Sequence, residues 1–259
     1  MEKMVIPEHV VNEIWDFVDQ FICPIQFIPN GDDRSPPGDH HGTGWFVEKN
    51  GVPHICTCEH VAKYQAKGIL GYAPFGGDSG VCVGSSFALE VHPLDFAIAD
   101  LSKTWSLIKH QGKCIPLGKI SKVHQPVEGE FLYFQGFPGA DANPAFGQQN
   151  VKGLGAFLHE VVAPEVLSNE KPPFNDKIHI CMAWSPANAK PLTKHADVLS
   201  VPSGMSGSIL WDTGYKKAKD ECRDWSIKDI KATGIVWGAS SKAGVITATA
   251  IEHFFHLLS

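Results

Sequence analysis

Apolar residues near both ends of the chain recur at helical spacing. Over residues 8–22 they stand three or four positions apart with acidic residues between them, and Pro7 precedes them in a helix-starting position. Over residues 251–258 they follow the i, i+3, i+4, i+7 pattern. The sequence therefore predicts one amphipathic helix at each end of the chain.

Between these two helices, short runs typical of β-strands alternate with turns that use many of the chain's 18 prolines and 25 glycines. Asn50-Gly51 predicts a tight hairpin, because both positions accept a positive φ. Many short strands with helices only at the ends indicate an all-β fold, either paired β-barrels or a sandwich. Besides the hairpin arms at 42–47 and 54–57, the predicted strands lie at 23–28, 87–92, 95–101, 130–136, 156–162, 177–184, 206–211, 231–238 and 244–250.

The composition is that of a globular protein with one large domain or two small lobes, since 43% of the 259 residues are hydrophobic and 19% are charged. A net charge of −6 without a block of like charge disfavours nucleic acid or an anionic membrane as the main partner. No apolar stretch approaches the roughly 20 residues that span a bilayer, and the first residues lack a signal-peptide pattern. We therefore expect the seven scattered cysteines to be mostly reduced thiols in a cytoplasmic protein.

Three residues can carry the chemistry of a nucleophilic hydrolase. Ser206 lies in the glycine-rich segment 204–208, with His60 and Asp95 upstream. A serine hydroxyl needs a general base within hydrogen-bond reach, and that base needs an orienting acceptor. The gaps of 35 and 111 residues are long enough to place the three side chains on separate elements of a two-lobed β fold.

In its motifs and their order, the chain resembles the trypsin-like (chymotrypsin-fold) serine proteases. That resemblance implies two six-stranded antiparallel β-barrels with the active site in the cleft between them. It divides the chain into an N-terminal helix (1–22), a first lobe (23–120) and a second lobe with the C-terminal helix (121–259), which together form one peptidase unit. The matching segments are 42–46, 57–61, 95–97, 204–208, 236–238 and 242–247.

The resemblance also implies the role of each residue. Ser206 is the nucleophile, His60 the general base, and Asp95 the acid that orients the imidazole. Asp100 is a nearby competitor for the last role, but the Asp-Phe-Ala context favours Asp95. The backbone N–H groups of Gly204 and Ser206 form the oxyanion hole.

For substrate binding, the resemblance points to two segments of the second lobe. Val236-Trp237-Gly238 pairs with the substrate backbone, and Gly238 with Gly244 leaves the S1 pocket open. Ser200, six residues before the nucleophile, stands at the base of that pocket. A neutral residue there favours an uncharged P1 side chain.

Two departures from the family bear on regulation. In its animal digestive members, an Asp before the nucleophile pairs with a newly cut N-terminus, whereas this chain has Met205 there. The disulfide beside the catalytic histidine is also missing, because Val61 follows His60. We therefore expect no zymogen activation of that kind, and the two losses fit a cytosolic microbial member that cleaves protein or peptide substrates.

Two alternatives belong to other functional classes. Without the acidic anchor at Met205, the oxyanion loop could stay collapsed, which gives a gated or catalytically silent peptide-binding module that needs an activating protein partner. Cys56, Cys58 and His60 alternate along one strand and suit zinc, but no second Cys/His pair follows them, so we expect no metal and no cofactor. His40-His41 is interpreted as part of a solvated loop.

Overall fold

The computed structural model describes residues 4–35, 37–139, 153–184 and 203–259. Two antiparallel sheets form the body of the protein. The first has seven strands in the order β5-β4-β1-β2-β3-β7-β6. These are β1 (Ile22–Pro29), β2 (Asp39–Lys49), β3 (Val52–Thr57), β4 (Gly68–Tyr72), β5 (Val81–Cys82), β6 (Ala88–Glu90) and β7 (Phe96–Asp100).

The second sheet has six strands in the order β10-β13-β12-β11-β8-β9. These are β8 (Leu132–Gly136), β9 (Leu154–Leu158), β10 (His179–Ala183), β11 (Ile209–Asp212), β12 (Lys231–Ser240) and β13 (Val245–Ala250). The described α-helices are α1 (Glu8–Asp19), α2 (Glu59–Ala62), α3 (Tyr215–Asp220) and α4 (Phe255–Leu258). None of them is long and apolar enough to cross a membrane.

These sheets confirm the predicted all-β class and differ from the prediction in one detail. The Asn50-Gly51 hairpin joins β2 to β3, with φ of 53° and 76° at its two positions, as type I′ geometry requires. The first sheet contains seven strands where six were expected. β4 and the two-residue β5, which pair at one edge of the sheet, are too short and too rich in glycine to show a clear alternation.

The N-terminal helix α1 packs against the second sheet and buries Val10, Ile14 and Val18. Its Phe17 ring lies edge-on to Trp211 of β11, with centroids 5.8 Å apart. The helix ends at Asp19, earlier than the predicted residue 22, because the chain enters β1 there. One apolar cluster then continues from α1 through both sheets to the C-terminus.

At the C-terminus, the predicted helix divides into a 3₁₀ turn over Ile251–His253 and the short helix α4. Phe254, between them, stacks on Phe96 of β7 with ring centroids 4.5 Å apart. A residue that follows the second sheet therefore closes the core of the first sheet. Because both rings are fully buried, this contact ties the two halves together beside the candidate site.

Candidate active site

His60 and Asp95 meet at the ends of two neighbouring strands. His60 lies in α2, just after β3, and Asp95 directly precedes β7. Because Thr57 of β3 pairs with Ala97 of β7, both side chains leave the first sheet at the same place. The His60 backbone N–H donates to Asp95 Oδ1 at 2.9 Å, and His60 Nδ1 donates to Asp95 Oδ2 at 2.6 Å.

This pairing fixes the protonation pattern of the imidazole. An ionised carboxylate can only accept hydrogen bonds, so Nδ1 of His60 carries the proton and Nε2 keeps its lone pair. The Asp95 side chain is 8% exposed, whereas that of His60 is 38% exposed. Nε2 is therefore the basic atom available to the cleft. The competing carboxylate of Asp100 lies at the far end of β7 and accepts the Ser102 N–H.

The turn that carries Asp95 is unusual in its backbone. Asp95 has a φ of 47°, in the left-handed region that non-glycine residues seldom adopt. Several hydrogen bonds hold this turn, including one from His179 Nε2 to Pro93 O at 2.7 Å. Asp95 N–H donates to Val91 O at 3.4 Å, and Thr249 Oγ1 of β13 donates to Leu94 O at 2.8 Å. A strand of the second sheet thus helps to set the position of an acid that belongs to the first.

Ser206 lies where the two sheets touch. Its carbonyl accepts the Thr43 N–H of β2 at 2.9 Å, and the N–H of the next residue, Gly207, donates to Val236 O of β12 at 2.8 Å. The hydroxyl donates to Trp237 O at 3.5 Å, at the outer limit of hydrogen bonding. Among the described residues, it makes no hydrogen bond to His60.

Gly207 is required by this close approach of the backbones. Its φ is 93°, and a Cβ at this position would lie 2.1 Å from Thr43 O and 2.3 Å from Thr57 Oγ1. No residue with a side chain fits there. The glycine that follows Ser206 therefore lets the serine turn dock on the first sheet.

The peptide units that carry the two predicted oxyanion-hole N–H groups are fixed in orientation, because the carbonyl oxygen of each unit accepts a hydrogen bond. Ser203 O accepts the Gly139 N–H at 2.8 Å, and Met205 O accepts the N–H of Ser208 at 3.0 Å and its hydroxyl at 2.7 Å. Since C=O and N–H point in opposite directions across a trans peptide, the N–H groups of Gly204 and Ser206 point away from these partners. Neither N–H donates to another described residue, so both can bind a negative oxygen.

The buried side chain of Met205 anchors the turn that carries Ser206. Its side chain is 1% exposed and belongs to the apolar cluster of the second sheet, together with Trp184, Leu210 and Val236. Where the animal trypsin-like proteases have an acidic anchor before the nucleophile, this chain has a side chain buried in an apolar cluster. The loop is ordered without an ion pair at this position.

Two residues of β2 that sequence reasoning missed also hold the turn. Thr43 Oγ1 donates to Gly204 O at 3.1 Å and accepts the Phe137 N–H at 3.0 Å. His40 Nε2 lies 2.6 Å from Phe137 O and 3.4 Å from Gly204 O.

The expectation of a solvated His40-His41 loop is therefore wrong. β2 begins at Asp39, earlier than the predicted arm at 42, and carries His40 into the protein. Burial lowers the pKa of His40 below its usual value of 6.5, which favours the neutral ring that binds these carbonyls. The segment 39–44 has no large apolar side chain, so it shows no strand alternation that could have revealed this.

Cys58 is the third group beside the His60–Asp95 pair. Its sulfur is fully buried, donates to Val236 O at 3.3 Å, and lies within 4.8 Å of a ring nitrogen of His60 and a carboxylate oxygen of Asp95. Burial, and then the Asp95 charge, raise its pKa well above the usual value. It is therefore a neutral thiol. Cys58, His60 and Asp95 are the described residues that could hold a metal ion, whereas Cys56 is not part of this cluster.

A cavity of about 270 Å³ lies beside Ser206, in the position expected for an S1 pocket. Val236 and Gly238 line it, as predicted, and Trp184 does so as well. Gly244 is not among the described lining residues, but its carbonyl accepts the Trp184 N–H at 2.8 Å and so positions that residue. Ser200, the predicted base of the pocket, lies outside the described residues.

A second cavity, of about 400 Å³, adjoins the His60–Asp95 pair. Trp237, predicted to bind substrate, lines it together with His60 and Asp95. Its far wall includes His92, whose ring meets that of Trp237 at 5.7 Å between centroids. The two cavities share Gly238, so they form neighbouring recesses along one cleft.

Comparison with known proteins supports the fold. Neither a protein-family model nor a curated protein sequence matches the chain. Among solved structures, the chain is similar to the active form of the Rv3671c protease from M. tuberculosis, with a TM-score of 0.51 and 15% sequence identity. The match covers 97% of this chain and 85% of the other. The two antiparallel sheets thus form the two half-barrels of a trypsin-like fold.

Proposed function

We propose that the protein is a serine endopeptidase that works through an acyl-enzyme. The observation that carries this proposal is the pair of hydrogen bonds from His60 to Asp95, at 2.6 and 2.9 Å, in the same cleft as Ser206. The fold is shared with a protease. Among the described residues, the N–H groups of Gly204 and Ser206 have no hydrogen-bond acceptor, which leaves them available to an oxyanion.

In the proposed reaction, the Ser206 hydroxyl leaves its long contact with Trp237 O by rotation about χ1 and donates to His60 Nε2. As Oγ attacks the scissile carbonyl carbon, Nε2 takes its proton, and Asp95 stabilises the imidazolium through Nδ1–H. The C–N bond then breaks, and the leaving amine receives the proton from Nε2. Water attacks the ester with His60 again as base, which releases the acid and restores Ser206.

The negative charge that forms on the carbonyl oxygen is stabilised by the N–H groups of Gly204 and Ser206. Because Ser203 O and Met205 O are already held by hydrogen bonds, these dipoles need little reorganisation during the reaction. Loss of one such donor typically slows acyl transfer by about 100- to 1,000-fold.

The substrate is proposed to be a protein or peptide that lies extended along Val236-Trp237-Gly238. The cavity beside Ser206 supports an uncharged P1 side chain, because no charged residue is among its described lining residues. A cytoplasmic location is also proposed, since the seven cysteines are free thiols.

The second candidate is a gated binding module with the same fold. One observation favours it, namely that the Ser206 hydroxyl contacts Trp237 O rather than His60. In that case a protein partner or a bound peptide would bring the hydroxyl to Nε2. The anchored Ser203–Ser206 turn favours the enzyme, because gating by a collapsed oxyanion loop would require these peptides to be free to turn.

A fluorophosphonate probe separates the two candidates. We expect one adduct by intact mass on the wild-type protein, no adduct on Ser206→Ala, and normal labelling of Ser79→Ala, which removes a half-buried serine far from Ser206 along the chain. A folded wild-type protein that takes no label would overturn the endopeptidase proposal and favour the gated module. Circular dichroism spectra of all three proteins confirm that they are folded.

A further inference from the structure

A third cavity, of about 490 Å³, lies in the second half of the molecule away from Ser206. Asp212, at the far end of β11 from Ser206, forms part of its wall. Lys231 and Thr233, at the start of β12, form another part of its wall. We call it the basic cavity.

Cations dominate the basic cavity. Five of its twelve described lining residues are positively charged, and two are carboxylates, although the chain as a whole has a net charge of −6. The cations are Lys122, Lys217, Arg223, Lys228 and Lys231.

The two carboxylates do little to neutralise the lysines. Asp229 accepts from Arg223 at 2.9 Å and from the Ser226 N–H at 2.9 Å. Asp212 accepts the Gly214 N–H at 2.8 Å, and burial raises its pKa. Among the residues that the structure describes, none of the four lysines of the basic cavity forms an ion pair, so no salt bridge neutralises their charge.

Lys119, which lies next to the basic cavity, is affected by the positive charge of the cavity lysines. Lys119 Nζ donates to Ile227 O at 2.5 Å, while Lys231 Nζ donates to the carbonyl of Gly118. Burial lowers the pKa of Lys119, and the positive charge of Lys231 lowers it further. With five cations and two carboxylates in its described lining, the basic cavity holds an excess of positive charge, and an anion would relieve the repulsion.

We propose that the basic cavity binds a small molecule with two or more phosphate groups. Lysine ammonium groups on flexible stems are effective point charges for phosphate oxygens. The volume of the cavity is within the 300–1,000 Å³ typical of small-molecule sites. A concave recess of this size fits a compact ligand rather than an extended polyanion.

Isothermal titration calorimetry with inorganic tripolyphosphate on the full chain tests the proposal. We expect one site per chain, with an affinity at least ten-fold weaker at 200 mM salt than at 50 mM. The double variant Lys122→Gln/Lys228→Gln should weaken binding by at least ten-fold. Lys103→Gln, which removes an exposed lysine of the first half, should leave the affinity unchanged.

Two results would overturn the proposal. One is no binding at millimolar tripolyphosphate, and the other is an affinity that all three proteins share, which would indicate diffuse attraction to surface charge. Equal thermal midpoints for the three proteins show that the substitutions leave the fold intact. The outcome is independent of the peptidase proposal, because the measurement requires no reaction at Ser206.

Discussion

Asp95 holds His60 by two hydrogen bonds at once, one to its backbone N–H at 2.9 Å and one to its ring at 2.6 Å. The same carboxylate therefore sets both the position of the helix α2 that carries the histidine and the tautomer of its imidazole. Because of this double contact, we expect even a substitution that keeps the shape of the Asp95 side chain to impair the function of His60.

Asp95→Asn keeps the size of the side chain but replaces an acceptor-only group with one that can also donate. If the amide N–H₂ faces Nδ1, the ring adopts the wrong tautomer and Nε2 no longer accepts a proton. For the proposed endopeptidase, we expect kcat to fall by about 10⁴-fold with little change in KM. Steady-state hydrolysis of a peptide ester measures this, and a fall of less than ten-fold would show that Asp95 does not orient the base.

Cys58 should resist alkylation in the folded protein. Its sulfur is buried and its pKa is raised, so the reactive thiolate is scarce, whereas Cys82 and Cys222 are exposed. After brief treatment with iodoacetamide at pH 7.5, peptide mass spectrometry should find the label on Cys82 and Cys222 only. Modification of Cys58 at a comparable rate would support a thiol-based role instead.

Gly207→Ala should prevent the serine turn from docking on β2. The added Cβ meets Thr43 O at 2.1 Å, so we expect a loss of about 3 kcal/mol or more in the free energy of unfolding. Gly51→Ala is a matched control, since Gly51 has a φ of 76° but a Cβ there would have no atom within 4 Å, and it should cost only about 1 kcal/mol. Denaturant unfolding compares them, and equal losses would mean that the contact with Thr43 is unimportant.

Met205→Asp tests the apolar anchor of the turn. A carboxylate at this position would be buried in an apolar cluster whose described members include Trp184, Leu210 and Val236 and no cation. We expect a loss of about 3–5 kcal/mol in the free energy of unfolding, against less than about 1.5 kcal/mol for Met205→Leu. If the two variants prove equally stable in urea, the anchor is not apolar packing.

Asp19 should make stability depend on pH. Burial raises its pKa from 3.8 to about 6, so the folded state keeps its proton where the unfolded chain has lost it. Its favourable contribution is complete below pH 4 and is lost as the pH rises through 6. Asp19→Asn, which can still accept from Gln135, should gain up to about 3 kcal/mol at pH 8 and nothing near pH 4. The same difference at both pH values would contradict this account.

Much of the fold followed from local signals in the sequence. Asn50-Gly51 predicted a hairpin because its turn needs two positive φ angles. The short motifs around His60, Asp95 and Ser206 predicted which residues meet, and the structure brings His60 and Asp95 into contact and places Ser206 in the same cleft.

The residues that the sequence did not predict make contacts with residues far away along the chain. Thr43 and His40 bind a carbonyl more than 160 positions away, and no local periodicity carries that information. Trp184 lines the cavity beside Ser206, and its backbone N–H is bound by Gly244 O, which lies next to the strand β13. Such contacts depend on strand register between distant segments, which a single sequence does not reveal.

The apolar burial of Met205 has a consequence for control of the protein. An anchor of buried apolar residues has no titrating group and needs no freshly cut chain end, so the serine turn is set once the second sheet has folded against β2 of the first. For an enzyme of the proposed kind, every folded copy is then already assembled at this turn. Its output would be governed by how many copies are made and how long they survive.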